Sequence, residues 1–139
     1  MSAIKVGIVG TGSVASSVHL PILTRRTDLF EIVALADLNV NAAYALADRF
    51  GISRDVCFAD PKKMIDSKEV DSVLILNSGS HAEIVEMALR AGKTVFCEKP
   101  LAYSRAELKA IEKANDSKLT ELIPALKGET ALIFTDVSN

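Results

Sequence analysis

Lys5-Val6-Gly7-Ile8-Val9-Gly10-Thr11-Gly12-Ser13-Val14-Ala15 is a short apolar run that ends in a glycine-rich turn, and a second apolar run, Glu31-Ile32-Val33-Ala34-Leu35-Ala36, ends on Asp37. Between them, Ser13 to Arg26 carries Val14, Val18 and Ile22 at helical spacing. Ser13 or Thr11 is available as its cap, and Pro21 should bend or shorten it. Strand, glycine turn, helix, strand and acid in that order form the pattern of a dinucleotide-binding βαβ unit. Gly10 permits the tight turn, Gly12 has no Cβ to hold the backbone off a pyrophosphate, and Ala15 keeps the helix close to the sheet. The phosphates are expected on the unpaired N–H groups of the turn Gly10 to Val14, where the helix dipole also favours an anion. Asp37, 25 residues beyond Gly12, can accept both ribose hydroxyl hydrogens of an adenosine. It would repel a phosphate at the 2′ position, so NAD is favoured over NADP. A purely structural glycine turn and a methyltransferase-like α/β fold are the competing readings of the same residues.

With 139 residues the chain is long enough for one complete core and short for two, so a single domain over 1–139 is expected. The apolar share of 49% with 24% charged residues fits an ordinary globular domain, and the net charge of −2 offers no basic surface for nucleic acid or an anionic membrane. No apolar run reaches the length of a membrane span, the longest being Val73-Leu74-Ile75-Leu76 with its flanks. Cys57 and Cys97 lie in apolar strand-like runs and read as buried thiols in a reducing cytoplasm. Neither they nor His19 and His81 show metal-ligand spacing, so no metal is expected.

The rest of the chain alternates. Asn39 to Phe50 reads as a helix stopped by Gly51, Val56-Cys57-Phe58 as a short strand, and Asp60-Pro61 as a helix start. Val70 to Leu76 and Lys93 to Cys97 read as further buried strands. Ser80 with Glu83 and Ser104 with Glu107 have the spacing of capping boxes for helices ending at Gly92 and Asn115. Repeated strand and helix with right-handed crossovers give an α/β fold: a doubly wound parallel sheet in a three-layer αβα sandwich. The cofactor is expected at the carboxyl ends of the strands, where strand order reverses. The Gly10 turn, Asp37, Asn77 to His81 and Glu98-Lys99-Pro100 all fall at such ends.

Four stretches in order carry a resemblance: Gly10-Thr11-Gly12-Ser13-Val14-Ala15, His19-Leu20-Pro21, Ala34-Leu35-Ala36-Asp37, and the run from His81-Ala82-Glu83-Ile84 through Ala91-Gly92-Lys93-Thr94-Val95-Phe96-Cys97 to Glu98-Lys99-Pro100-Leu101-Ala102. Over residues 1 to about 115 the chain resembles the N-terminal domain of the Gfo/Idh/MocA (glucose-fructose oxidoreductase / inositol dehydrogenase) family. The resemblance implies an NAD- or NADP-dependent oxidoreductase acting on sugars, cyclitols or their derivatives. It implies that Lys99 contacts the substrate hydroxyl and helps to shuttle its proton, that Glu98 lies beside the nicotinamide carboxamide and ribose, and that His81 packs near the cofactor; a solvated lysine after a strand and a satisfied surface histidine at a helix start are the competing readings of Lys99 and His81. His19 reads as a structural histidine on the helix face. A cis bond before Pro100 is frequent in the family.

Two departures limit what the resemblance implies. Leu76-Asn77-Ser78 stands where the family usually has Thr-Pro-Asn, although Asn77 and Ser78 can still hydrogen-bond a ribose or phosphate. The family's second domain, which supplies the substrate pocket and usually the oligomer interface, has no counterpart here. Residues 116–139 diverge: Leu119 to Gly128 reads as a helical turn broken at Pro124, and Thr130 to Thr135 as a sixth strand. This tail has a faint likeness to a segment of ribosomal stalk-anchor proteins. Two functions are therefore expected in competition. One is the NAD-binding half of an oxidoreductase, inactive without a second domain to bind a polyol-like substrate, with a homo-oligomer among its expected partners. The other is a non-catalytic nucleotide sensor or scaffold.

Overall fold

The computed structural model describes residues 2–115 and the backbone of residues 132–134. β1 (Ile4–Val9) lies in the middle of the sheet, paired in parallel with β2 (Phe30–Ala36) on one side and β4 (Ser72–Ile75) on the other. β3 (Cys57–Phe58) extends the sheet beyond β2, and β5 (Thr94–Cys97) beyond β4, both again in parallel. β6 (Leu132–Phe134) joins the far edge antiparallel to β5, giving the order β3-β2-β1-β4-β5-β6. The five parallel strands are those read from the sequence. The sixth departs from a purely parallel sheet, as edge strands of large sheets often do. The helical turn read at 119–128 lies outside the described residues.

Successive strand residues point to opposite faces, and both faces are covered. Val6 and Ile8 of β1, Leu35 of β2 and Leu74 of β4 pack with Ala15, Leu20, Ala43, Leu46 and Ala47. These come from the helical segment after β1 and from α2 (Val40–Phe50). Val9, Ala34, Ala36, Val73, Ile75 and Val95 pack on the other face against α3 (Pro61–Ile65), α4 (Ala82–Arg90) and α5 (Arg105–Ala114) through Met64, Ile65, Val85, Ala88 and Ile111. A fully buried Leu or Ile contributes ~1.5–3 kcal/mol against ~1 kcal/mol for a helix cap, so this two-sided core fixes the layers and the caps only trim them.

The helix after the glycine turn is not a regular α-helix. Residues Ala15–His19 form a π-helical turn, in which the Leu20 N–H reaches back to the Ala15 carbonyl, and α1 (Leu20–Leu23) follows. Pro21 thereby sits in the first turn of α1, the position that tolerates its missing N–H best. Neither Ser13 nor Thr11 caps this helix. The stripe Val14, Val18 and Ile22 is 42–57% exposed, and the buried contacts are made by Ala15 and Leu20.

α2 and α4 stop at Gly51 and Gly92, both at positive φ, and Asp60 accepts the Lys62 N–H at the start of α3. Of the two capping boxes, Ser104 with Glu107 forms and Ser80 with Glu83 does not. Ser80 instead accepts the Ala82 N–H and donates its hydroxyl to Glu107 Oε1 at 2.8 Å, tying the start of α4 to the start of α5. The same carboxylate takes the Tyr103 and Ser104 N–H groups on Oε2. The Ser80 oxygen accepts from the Ala82 N–H where the box would have it accept from Glu83, and its proton goes to the charged Glu107.

The Ser80 hydroxyl, with the Tyr103 and Ser104 amides, holds the Glu107 carboxyl below the usual carboxylate range. A lowered carboxyl pKa adds stability above the ordinary value, and that contribution is lost as the pH falls through the lowered one. Glu107→Ala is therefore expected to lower the melting temperature at neutral pH. The deficit should shrink below about pH 4, which melting curves of both proteins across pH would show.

Candidate functional site

The strand order reverses between β1 and β4, and at the carboxyl ends of these strands a cleft of about 570 Å³ opens. That size suits part of a nucleotide. Gly10, Gly12, Ser13 and Val14 form one wall, Asp37 and Leu38 the end of β2, and Asn77 and Ser78 the end of β4. Asp60, Pro61, Glu83, Ile84 and Met87, with the apolar Val9, Ala36 and Leu76, complete the lining; the sequence reading missed them as site residues, along with Leu38. Asp60 and Pro61 carry a signal in retrospect, since they follow β3 directly at the same edge. Glu83, Ile84 and Met87 become neighbours only when α4 docks.

Gly10 is held at φ +92°, and a Cβ placed on it would stand 2.3 Å from the Asn77 nitrogen and 2.5 Å from its Cα. A side chain is excluded twice over, by backbone conformation and by backbone contact. Gly12 differs: nothing lies within 4 Å of a Cβ there, and the space opens into the cleft. The first ladder bond of the following helix is Ser16 N–H to Gly12 O, so the amides before it are donors for an anion.

Thr11 is buried beneath this turn and gives both its N–H (2.9 Å) and its hydroxyl (2.8 Å) to Asp37 Oδ2. Asp37 Oδ1 accepts the Asn39 N–H at 2.9 Å. With three of about four acceptor positions engaged, Asp37 has room for one further donor, where the sequence reading expects two ribose hydroxyls. A second is accepted only if the Thr11 hydroxyl turns away. These bonds fix the acid against the glycine turn before any ligand arrives.

At the other side of the site, Glu98 follows β5 with its N–H on Ile75 O, and Lys99 is exposed beyond it. The Lys99–Pro100 bond is cis. Glu98 Oε1 meets His19 Nε2 at 3.0 Å, so His19, read as a structural residue, links the first helix to this turn. His81 is 2% exposed and lies beneath the cleft, outside its lining, with its ring nitrogens on Asn77 O and Glu98 O. The Asn77 side-chain oxygen is buried without a protein partner. Burial pushes the Cys97 thiol up to about 12 and also raises that of Cys57, and both cysteines are free. Among the described residues no three His, Cys, Asp or Glu side chains converge as metal ligands, and no helix is long and apolar enough to cross a membrane.

This site lies within a recognised sequence domain. Residues 4–123 match the model of the Gfo/Idh/MocA oxidoreductase family, NAD-binding Rossmann fold. The chain belongs to that family. Among its Gfo/Idh/MocA relatives, inositol 2-dehydrogenase 3 of Saccharopolyspora erythraea is 37% identical over 121 residues, which is 86% of this chain and 35% of that protein. Among solved structures, myo-inositol dehydrogenase from Lactobacillus casei, in complex with NAD(H) and myo-inositol, superposes with a TM-score of 0.75 at 30% identity, covering 84% of this chain and 34% of that one. A 3-ketoreductase from Actinomadura kijaniata, in complex with TDP-benzene and NADP, gives 0.69 at 31% identity, covering 81% and 35%. The chain thus spans about a third of the length of the relatives it matches. It is an NAD(P)-binding Rossmann domain, with NAD and NADP both represented among its structural neighbours.

Gly10 and Gly12 give opposite expectations. Gly10→Ala should cost at least ~2 kcal/mol in urea unfolding, because strain and overlap both fall on backbone. Gly12→Val should stay within ~0.5 kcal/mol of wild type while weakening nucleotide binding about tenfold or more.

Proposed function

We propose that this chain is the NAD-binding half of an oxidoreductase that acts on a hydroxyl-bearing, sugar- or cyclitol-like substrate. The observation that carries the cofactor choice is the cleft's charge. Among the described residues its lining holds three carboxylates, Asp37, Asp60 and Glu83, and no lysine or arginine. An adenosine with free ribose hydroxyls suits such a pocket. A 2′-phosphate would meet like charge with no cation to hold it, at a cost of several kcal/mol when desolvated.

The residues divide the work by position. The amides of Gly12, Ser13 and Val14 hold the pyrophosphate, and Asp37 orients the ribose through its remaining acceptor site. Leu38, 87% exposed at the lip, and Ile84 and Met87 opposite offer apolar surface to the base. Asn77 and Ser78 supply hydrogen bonds to the middle of the dinucleotide. By the family resemblance, Glu98 stands beside the nicotinamide end and Lys99 takes the proton of the substrate hydroxyl at Nζ. The bound nicotinamide supplies the hydride acceptor. A cation at Lys99 stabilises the oxyanion that forms as that hydroxyl loses its proton. A water-poor pocket needs a second wall, so turnover by this chain alone is not expected. Two free thiols, Cys97 buried and Cys57 only partly so where burial was expected of both, fit a reducing cytoplasm as its compartment.

Calorimetry tests the binding claim. NAD should bind at least about tenfold, or ~1.4 kcal/mol, more tightly than NADP, and Asp37→Ala should narrow that gap. Equal affinities would reverse the cofactor assignment, and no binding of either would end the proposal. With NAD and a panel of cyclitols and sugars, the isolated chain is expected to produce no NADH absorbance. Turnover that survives Lys99→Met would remove Lys99 from the mechanism, and binding with no Lys99-dependent chemistry in a complete enzyme would favour the sensor reading.

A further inference from the structure

The last backbone bond between β4 and β5 is Glu98 N–H to Ile75 O, at 3.0 Å. Beyond it the two chains part, Asn77 into the cleft loop and Glu98 into the Lys99-Pro100 turn, whose proline has no N–H to give. The carbonyls of Asn77 and Glu98 are joined instead by one side chain. His81 Nε2 is 2.6 Å from Asn77 O, and His81 Nδ1 is 2.7 Å from Glu98 O.

Backbone carbonyls only accept, and a neutral imidazole has one N–H, so one contact of the pair would set lone pair against lone pair. An imidazolium donates at both ends. A buried cation is tolerated when all its donors are used. The Glu98 carbonyl also takes the Cys97 thiol at 3.1 Å. On the side-chain end of the same residue, His19 Nε2 meets the Glu98 carboxylate, so both histidines of the chain converge on Glu98.

We propose that His81 is a positioning residue whose imidazolium ties the end of β4 to the end of β5 and so holds the Glu98-Lys99-Pro100 turn in place against the nucleotide loop. The titratable groups on the surrounding elements are Cys97 and Glu98 at the end of β5, Lys99 beyond it, Glu83 in the first turn of α4, Glu107 of α5, which takes the Ser80 hydroxyl, and His19 from the first helix. Each of the two carbonyls calls for an N–H, and only the imidazolium supplies one at both ends of the ring. Loss of one proton breaks one of the two bonds and frees one strand end. The consequence for Lys99 chemistry rests on the function proposed above, whereas the tie itself does not.

The test uses the whole chain, labelled with ¹⁵N and free of nucleotide, followed by NMR from about pH 5 to about pH 9, a range that brackets ordinary imidazole titration. Both His81 ring nitrogens should carry protons at the acidic end. As one is lost, the Ser78 and Lys99 amide signals should move with the same midpoint. Repeating the titration in His19→Gln leaves His81 as the chain's one imidazole, so the midpoint is assigned without overlap. In His81→Gln, whose single amide nitrogen can donate to one carbonyl but not both, these amides should lose that titration, and the Lys99 amide should exchange with solvent about tenfold faster. A single neutral tautomer at every pH, or Ser78 and Lys99 amides that ignore the ring, would overturn the proposal. Should His81→Gln not fold, the wild-type titration decides alone. Because no nucleotide is present, failure of NAD to bind in calorimetry leaves this result standing, and the reverse also holds.

Discussion

The end of the first strand passes so close to the end of the fourth that only a hydrogen atom fits on Gly10 where it faces the Leu76–Asn77 peptide. That contact sets the switch point of the sheet. Because β1 and β4 are adjacent in space yet far apart in sequence, their loops leave in opposite directions, and the gap between them becomes the cleft. The turn is then locked from beneath by Thr11, which donates twice to Asp37 at the end of β2. Three strand ends are thereby fixed relative to each other by backbone contact and hydrogen bonds rather than by a ligand.

The electrostatics of the cleft follow from this arrangement. Among the described residues its charged side chains are all acidic, so the amides of the glycine turn and the helix start are the donors the proposed function assigns to an anionic pyrophosphate. Such donors are directional and fixed in place by the fold. The end of β5 is organised differently, around Glu98, whose carboxylate meets His19 and whose carbonyl meets His81 and Cys97. One strand end thus gathers side chains from the first helix, from the start of α4 and from its own strand.

What could be read in the sequence was whatever depends on neighbours a few residues away. The βαβ order, the stops at Gly51 and Gly92, the Asp60-Pro61 start and the Ser104–Glu107 box are local geometry, and each appears where expected. The readings that missed were decided by distant partners. Ser80 turns its proton to Glu107 of α5, and Thr11 gives its hydroxyl to Asp37 at the end of β2. Val14, Val18 and Ile22 have helical spacing, yet the π-helical turn before Pro21 puts Ala15 and Leu20 on the sheet instead. His81 looked like a helix-start residue with family significance, and only the pairing of β4 with β5 reveals the two carbonyls that enclose it.

The central claim is that a dinucleotide lies across the carboxyl ends of β1, β2 and β4. Mapping amide shift changes of the labelled chain on addition of NAD measures this directly. The account predicts changes concentrated at Gly10 to Val14, Asp37 to Leu38 and Asn77 to Ser78, with the opposite edge of the sheet, Ser2 to Ile4, Asp71 to Ser72 and Thr94, unaffected. Changes centred on that opposite edge, or none in the glycine turn at saturating NAD, would contradict it.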